Sequence, residues 1–230
     1  KPPHRSNEYN SLFTELYGAF QRAKSKGINL YLFDDKSYFE EVGYPANADG
    51  SRGFQCWNDP EVAEYLIART RDYANQLPMF SGIVLDGPDY KWEIAPGERD
   101  DLFAEQCTCH HCADAAQAMG LDLMNMIEAL GAFKLELQQL DDEKVEGFLL
   151  TTKGFLGAVD WWLSHPELLN LLRFKYSTIE DHLKRTYEGI KEYLPEYQVM
   201  ASSRTPSYIA LTGHALPRRD SYTDFQLPKL

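Results

Sequence analysis

The sequence predicts a parallel α/β fold of the (β/α)8 TIM-type barrel, partial or truncated in this chain, with a helical insertion around 113–194. Three observations carry that expectation. Short apolar runs occur at Ile28–Phe33, Phe80–Leu85 and Tyr197–Ala201. Each run ends in polar residues: Asp34-Asp35, Asp86 and Ser202-Ser203-Arg204. Stretches of helical period separate the runs, as crossover helices separate parallel strands. In such folds the strand C-termini gather on one face, and a barrel carries its chemistry there. About four strands are legible, the last at Asp224–Pro228, so a doubly wound open sheet is the rival architecture. The chain is read as one domain over 1–230, incomplete at its C-terminus.

The elements follow in order. Leu12, Leu16, Phe20 and Ala23 recur at helical spacing, with Ser11 as the expected cap and Lys26-Gly27 as the stop. A first strand ends at Asp34-Asp35. A polar segment with Gly and Pro then runs to Asn58 and contains Cys56. Asp59-Pro60-Glu61 starts a helix, because proline fits the first turn and an acid suits the positive end of the helix dipole. That helix reaches Gln76, with Val62, Tyr65, Leu66 and Ala68 expected inward. The second strand closes on Asp86, and a loop from Gly87 to Gln106 follows. The helical insertion comprises Ala113–Met119, Asp122–Leu140 and Trp161–Tyr193, the last broken near Pro166.

The 230 residues carry 23 basic and 35 acidic side chains, a formal charge of −12. No basic stripe suited to a phosphate backbone is present, so nucleic acid is not an expected partner. No run of about 18 apolar residues is present, so no membrane span is expected. No basic start leads into an apolar stretch, so no signal peptide is visible. The expectation is a soluble chain, cytoplasmic or a processed secreted form.

The four cysteines are Cys56, Cys107, Cys109 and Cys112. C-x-C-x-x-C spacing with a fourth thiol upstream suits one soft divalent ion such as Zn2+, held by four thiolates in a closed, structural site. Two disulfides or free thiols are the alternatives, and His110 or His111 could replace Cys56 as fourth ligand.

This order of features, a cysteine in an early loop, a βα unit, then C-x-C-x-x-C after the next strand, resembles the family-42 β-galactosidases. The likeness covers roughly residues 28–112. Ser81–Pro88, Pro206–Gly213 and Leu227-Pro228-Lys229 also look like segments of glycoside-hydrolase-like barrels. The resemblance implies a (β/α)8 scaffold, a structural zinc on the four cysteines and a carbohydrate substrate. One departure matters. That family carries Asn-Glu at the end of the strand before the knuckle, where this chain has Leu85-Asp86-Gly87-Pro88.

Glycoside hydrolysis needs two carboxyl groups across a cleft. The candidates are Asp86, Asp89, Asp35 and Glu93, the last between Trp92 and Ile94, where an apolar neighbourhood would raise its pKa. Asp34, Tyr90, Trp92 and Arg204 are the expected substrate contacts. Each has an ordinary alternative: Asp86 as a turn cap, Arg204 in an ion pair, the aromatics as packing. Side-chain alternation implies that one of Asp34 and Asp35 faces the cleft and the other solvent. A non-catalytic carbohydrate-binding or assembly domain on the same scaffold is the competing function.

Overall fold

The computed structural model describes residues 7–35, 56–86, 88, 90, 107–139, 141–151, 155–203, 213 and 221–228. Four strands, β1 (Leu30–Asp35), β2 (Phe80–Asp86), β3 (Gln198–Ser203) and β4 (Phe225–Pro228), form one sheet in the order β1-β2-β3-β4. All three pairings are parallel. The architecture is therefore parallel α/β, and among the described residues the sheet is open rather than closed into a barrel. Five helices stand between β2 and β3: α3 (His110–Ala118), α4 (Leu123–Gln138), α5 (Asp142–Thr151), α6 (Phe155–Leu163) and α7 (Pro166–Tyr193). This is the expected insertion, with its break at Pro166.

α1 (Asn7–Ser25) begins a full turn before the expected cap, so Ser11 lies inside it. An amide and an acid at Asn7-Glu8 suit a helix start better than a mid-helix position. The helix ends where glycine was expected to end it, with Gly27 at φ +79°. Its Phe20 meets Phe80 edge-on at 5.1 Å, and Lys24 Nζ donates to Ser81 Oγ at 2.8 Å, which docks the helix at the start of β2.

α2 (Pro60–Gln76) starts as the sequence implied: the Asp59 carboxylate accepts the Glu61 N–H at 2.9 Å. Its inward face matches the expectation at Val62 and Leu66, with Tyr65 packed at its edge, and departs from it at Ala68. Val62, Ala63, Leu66, Ile67 and Thr70 are buried, whereas Ala68 is exposed. The phase is set by α7, because Gly189 admits the Ile67 side chain; a Cβ there would fall 2.3 Å from Ile67 Cδ1.

Two apolar cores result. The first lies between the sheet and the pair α2/α7 and contains Ile83, Leu85, Val199, Ile179 and Leu183. The second lies among α3, α4 and the first half of α7, around Met126, Leu130, Leu171 and Phe174. β3 and β4 are fastened by Asp224, whose carboxylate accepts from the Val199 N–H at 2.8 Å and from Lys191 Nζ at 2.7 Å. Burial works against the charged form of Asp224, but these donors outweigh it and hold the carboxyl below its ordinary value.

Two predictions follow from this packing. A Cβ at Gly82 would stand 2.2 Å from the Gln198 carbonyl oxygen, a backbone atom of the neighbouring strand. Gly82→Ala should therefore cost about 1–3 kcal/mol or more in denaturant unfolding, and a variant as stable as the parent would refute the β2–β3 approach. His182 is fully buried against Trp57, with ring centroids 4.8 Å apart, and neither ring nitrogen meets a partner in hydrogen-bonding geometry. Burial first, then the Arg185 charge, lowers its pKa from 6.5 to about 3, and the nearby Trp57 backbone only partly opposes this. The unfolded chain thus binds a proton that the folded chain refuses. The stability is full above pH 6.5 and lost as pH falls towards 3, with about 2 kcal/mol gone by pH 5. Unfolding curves at pH 7 and pH 5 should show this slope in the parent and a flatter one in His182→Leu.

Candidate functional site

The pairing register decides which strand residues share a face. Leu32, Ile83 and Val199 align across the sheet, as do Leu85 and Ala201 one step on. These residues pack into the first core, so their face is the helix-covered one. The alternate row, Phe33, Val84, Met200 and Phe225, lies on the opposite face. Phe33 and Phe225 are about half exposed there, at 50% and 52%.

The next step along the strands reaches the polar ends. Asp35 is aligned with Asp86, and Ser202 with Leu227. Leu85 pairs with Ala201, so Ser202 follows beside Asp86, and its hydroxyl donates to Asp86 Oδ1 in a short hydrogen bond. Asp86 is half-buried. The backbone of Asp35, Asp86 and Ser202 thus forms a polar row at the C-terminal end of three parallel strands, on the face away from the helices.

Asp34 lies in the other phase. Its carboxylate is 6% exposed and forms an ion pair with Arg69 from α2 at 2.8 Å. Arg69 Nε also donates to Tyr73 Oη at 2.6 Å. The expectation that one of the two aspartates faces solvent is thereby corrected: Asp34 enters the helix layer, where a cation from α2 compensates its burial. Tyr90, expected at the substrate, is buried with its ring beneath Lys175 Nζ at 4.8 Å. Burial pushes its hydroxyl well above the ordinary pKa. Asp89, Trp92, Glu93 and Arg204, and the side chain of Asp35, lie outside the described residues.

The sulfur atoms of Cys56, Cys107, Cys109 and Cys112 all lie within 4.8 Å of one another. Cys56 Sγ is 3.4 Å from Cys109 Sγ and 3.5 Å from Cys112 Sγ. Four thiolates around one tetrahedral ion at metal–sulfur distances of about 2.3 Å would sit about 3.8 Å apart, so the cluster has the dimensions of such a site. None of the four is in a disulfide. The histidines are engaged elsewhere: their rings lie 3.9 Å apart, His110 is exposed, and His111 Nε2 is 3.6 Å from Asp59 Oδ1.

The four thiols differ in their local surroundings. Cys109 caps α3 and Cys112 lies in its first turn, at the positive end of the helix dipole. Hydrogen bonds from Cys112 and Cys56 hold the Cys107 thiol far below its usual range, while Cys56 and Cys112, hydrogen-bonded to Cys107 and buried, are pushed up. Asn58 Nδ2 donates to Cys112 Sγ at 3.3 Å and to Thr178 Oγ1 at 3.2 Å, an outer contact that orients a ligand. Sequence reasoning overlooked Asn58, although its place two residues after Cys56 was a usable signal. It also overlooked Ser202 as the partner of Asp86, which only the strand register reveals. Among the described residues no helix is long and apolar enough to cross a membrane.

No family model and no curated protein matches the chain. Two solved structures share its fold. A β-galactosidase from the Antarctic haloarchaeon Halorubrum lacusprofundi aligns over 95% of this chain at 18% identity, with a TM-score of 0.50. The cold-adapted β-galactosidase from Rahnella sp. R3 aligns over 100% of it at 11% identity, with a TM-score of 0.53. The chain spans 32% of the length of each. Over that stretch the fold of this chain is similar to that of both β-galactosidases.

Proposed function

We propose that this chain is a glycoside-hydrolase-like protein that acts on a carbohydrate through strand-end carboxylates, on a scaffold braced by a structural zinc ion. The observation that carries this reading is the polar row of Asp35, Asp86 and Ser202 at the C-terminal end of parallel strands, on the face opposite α2 and α7. The shared fold with two β-galactosidases supports it. Asp86 is the first of the two carboxyl groups, and Ser202 fixes its orientation by donating to one oxygen. Asp35, Asp89 and Glu93 are the candidates for the second. On this reading residues 1–230 belong to one domain.

Zinc is the ion the cysteine cluster suits, because four thiolates favour a soft divalent cation and leave it no open position. When bound, it supplies cross-linking rather than reaction chemistry. The side chains do the structural part: Asn58 orients Cys112, and the first turn of α3 stabilises the thiolate charge.

A second reading has its own support. Leu85-Asp86-Gly87-Pro88 lacks the glutamate that a family-42 enzyme presents after this strand. A domain that kept the scaffold and lost the acid would bind glycans without cleaving them.

Asp86→Asn separates the two. Under the enzyme reading it leaves unfolding and circular dichroism unchanged and lowers turnover of a cleavable aryl glycoside about 10²–10⁴-fold. Full activity in that variant rules Asp86 out, and saturable glycan binding with no turnover in the parent favours the binding domain. For the metal, elemental analysis should find one zinc per chain. Cys109→Ser should lose it and melt about 5–15 °C lower, because metal binding is coupled to folding. A metal-free parent of undiminished stability would refute the zinc brace.

A further inference from the structure

A cavity of about 110 Å³ lies among α4, α6 and α7, away from the strand-end carboxylates and from the sulfur cluster. Its walls include Leu130 and Phe133 of α4, Trp161 and Trp162 of α6, and Leu171 and Lys175 of α7. Lys175 is the one charged residue among them and is only 3% exposed. Its ammonium lies over the Tyr90 ring, so it gives the cavity its aliphatic stem. The walls are otherwise carbon. The pocket is partly open to solvent, and a water molecule, which needs about two to four polar partners to be held, finds almost none on its walls.

The aromatic walls narrow the chemistry further. Phe133 and Trp161 are 5.4 Å apart and tilted by 57°, and Trp161 and Trp162 are 5.0 Å apart and nearly perpendicular at 82°. The first pair is tilted and the second is edge-to-face, an arrangement that ring quadrupoles favour. A further ring in the cavity extends the same pattern, which an aliphatic group of equal volume does not. Trp161 is held in place on its other side, stacked on His165 at 4.2 Å, with His165 Nδ1 at 2.7 Å from the Trp161 carbonyl. The wall is thus preorganised.

We propose that this cavity is a binding site for one small, neutral aromatic ring, of benzene-to-indole size. The proposal is independent of the carbohydrate reading and survives its failure.

The test uses the 230-residue chain and benzene, indole and cyclohexane as probes, followed by methyl NMR shifts of the leucines and by melting temperature. Benzene or indole should give saturable shifts centred on Leu130 and Leu171 and a concentration-dependent rise in melting temperature. Cyclohexane should bind more weakly. Leu130→Phe, which fills the space, should weaken benzene binding by roughly tenfold or more. Leu171→Ala, which enlarges it, should shift preference from benzene towards indole. Absence of saturable binding by either aromatic probe to the folded parent overturns the site. Equal or tighter binding of cyclohexane overturns the aromatic class, and unchanged benzene binding in a folded Leu130→Phe overturns the location.

Discussion

Four consecutive residues, Cys56-Trp57-Asn58-Asp59, hold the two halves of this molecule together. Cys56 belongs to the core around α3 and α4, and Trp57 to the core beneath the sheet. Asn58 joins Cys112 to Thr178 of α7, and Asp59 caps α2. The four neighbouring side chains on one turn are therefore committed to three helices, α2, α3 and α7. A shift of the turn by one residue would break all four commitments together, which makes its conformation strongly specified. An ion on the sulfur cluster would fix one end of this turn, and the Trp57–His182 contact fixes the other.

The polar row depends on that arrangement at one remove. The face of a strand residue is set by parity, and parity is set by which side the helices cover. α2 and α7 cover the side carrying Leu32, Ile83 and Val199, so Asp86 and Ser202 emerge on the other. Asp34, one residue out of phase with Asp35, is drawn into the helix layer. Burying a carboxylate there is tolerable because Arg69 meets it and Tyr73 holds Arg69. The same parity that removes Asp34 from the open face leaves Asp35 in register with Asp86.

Much of this was legible in the residues. Asp59-Pro60 marked a helix start, Pro166 a break and Gly27 a stop, because each acts through local backbone chemistry. The convergence of the cysteines was legible because three thiols in six residues have few other uses. What was not legible depended on partners distant in sequence. Alternation shows that Asp34 and Asp35 differ, but only Arg69 decides which of them goes inward. The inward face of α2 was misjudged at Ala68 because Gly189, over a hundred positions away, sets the helix phase. Tyr90 read as a loop aromatic available to a ligand, and only the arrival of Lys175 over its ring shows it as packing.

The length of α7 lets one helix pack both on the sheet and against the helices that carry the sulfur cluster. At 28 residues it spans about 42 Å, and the six residues of β3 about 20 Å. A crossover helix runs antiparallel to its strands, so the surplus must project beyond the end where Asp86 lies. The burial pattern agrees: Ile179, Leu183 and Ile190 meet the sheet core, whereas Leu168, Leu171 and Phe174 meet α3 and α4. The overhanging half would be a lone amphipathic helix without something to pack on. α3, α4 and α6 supply that surface, and the cysteines tie it to the turn before α2. The sulfur cluster thus lies where the turn before α2 meets this overhanging helical layer.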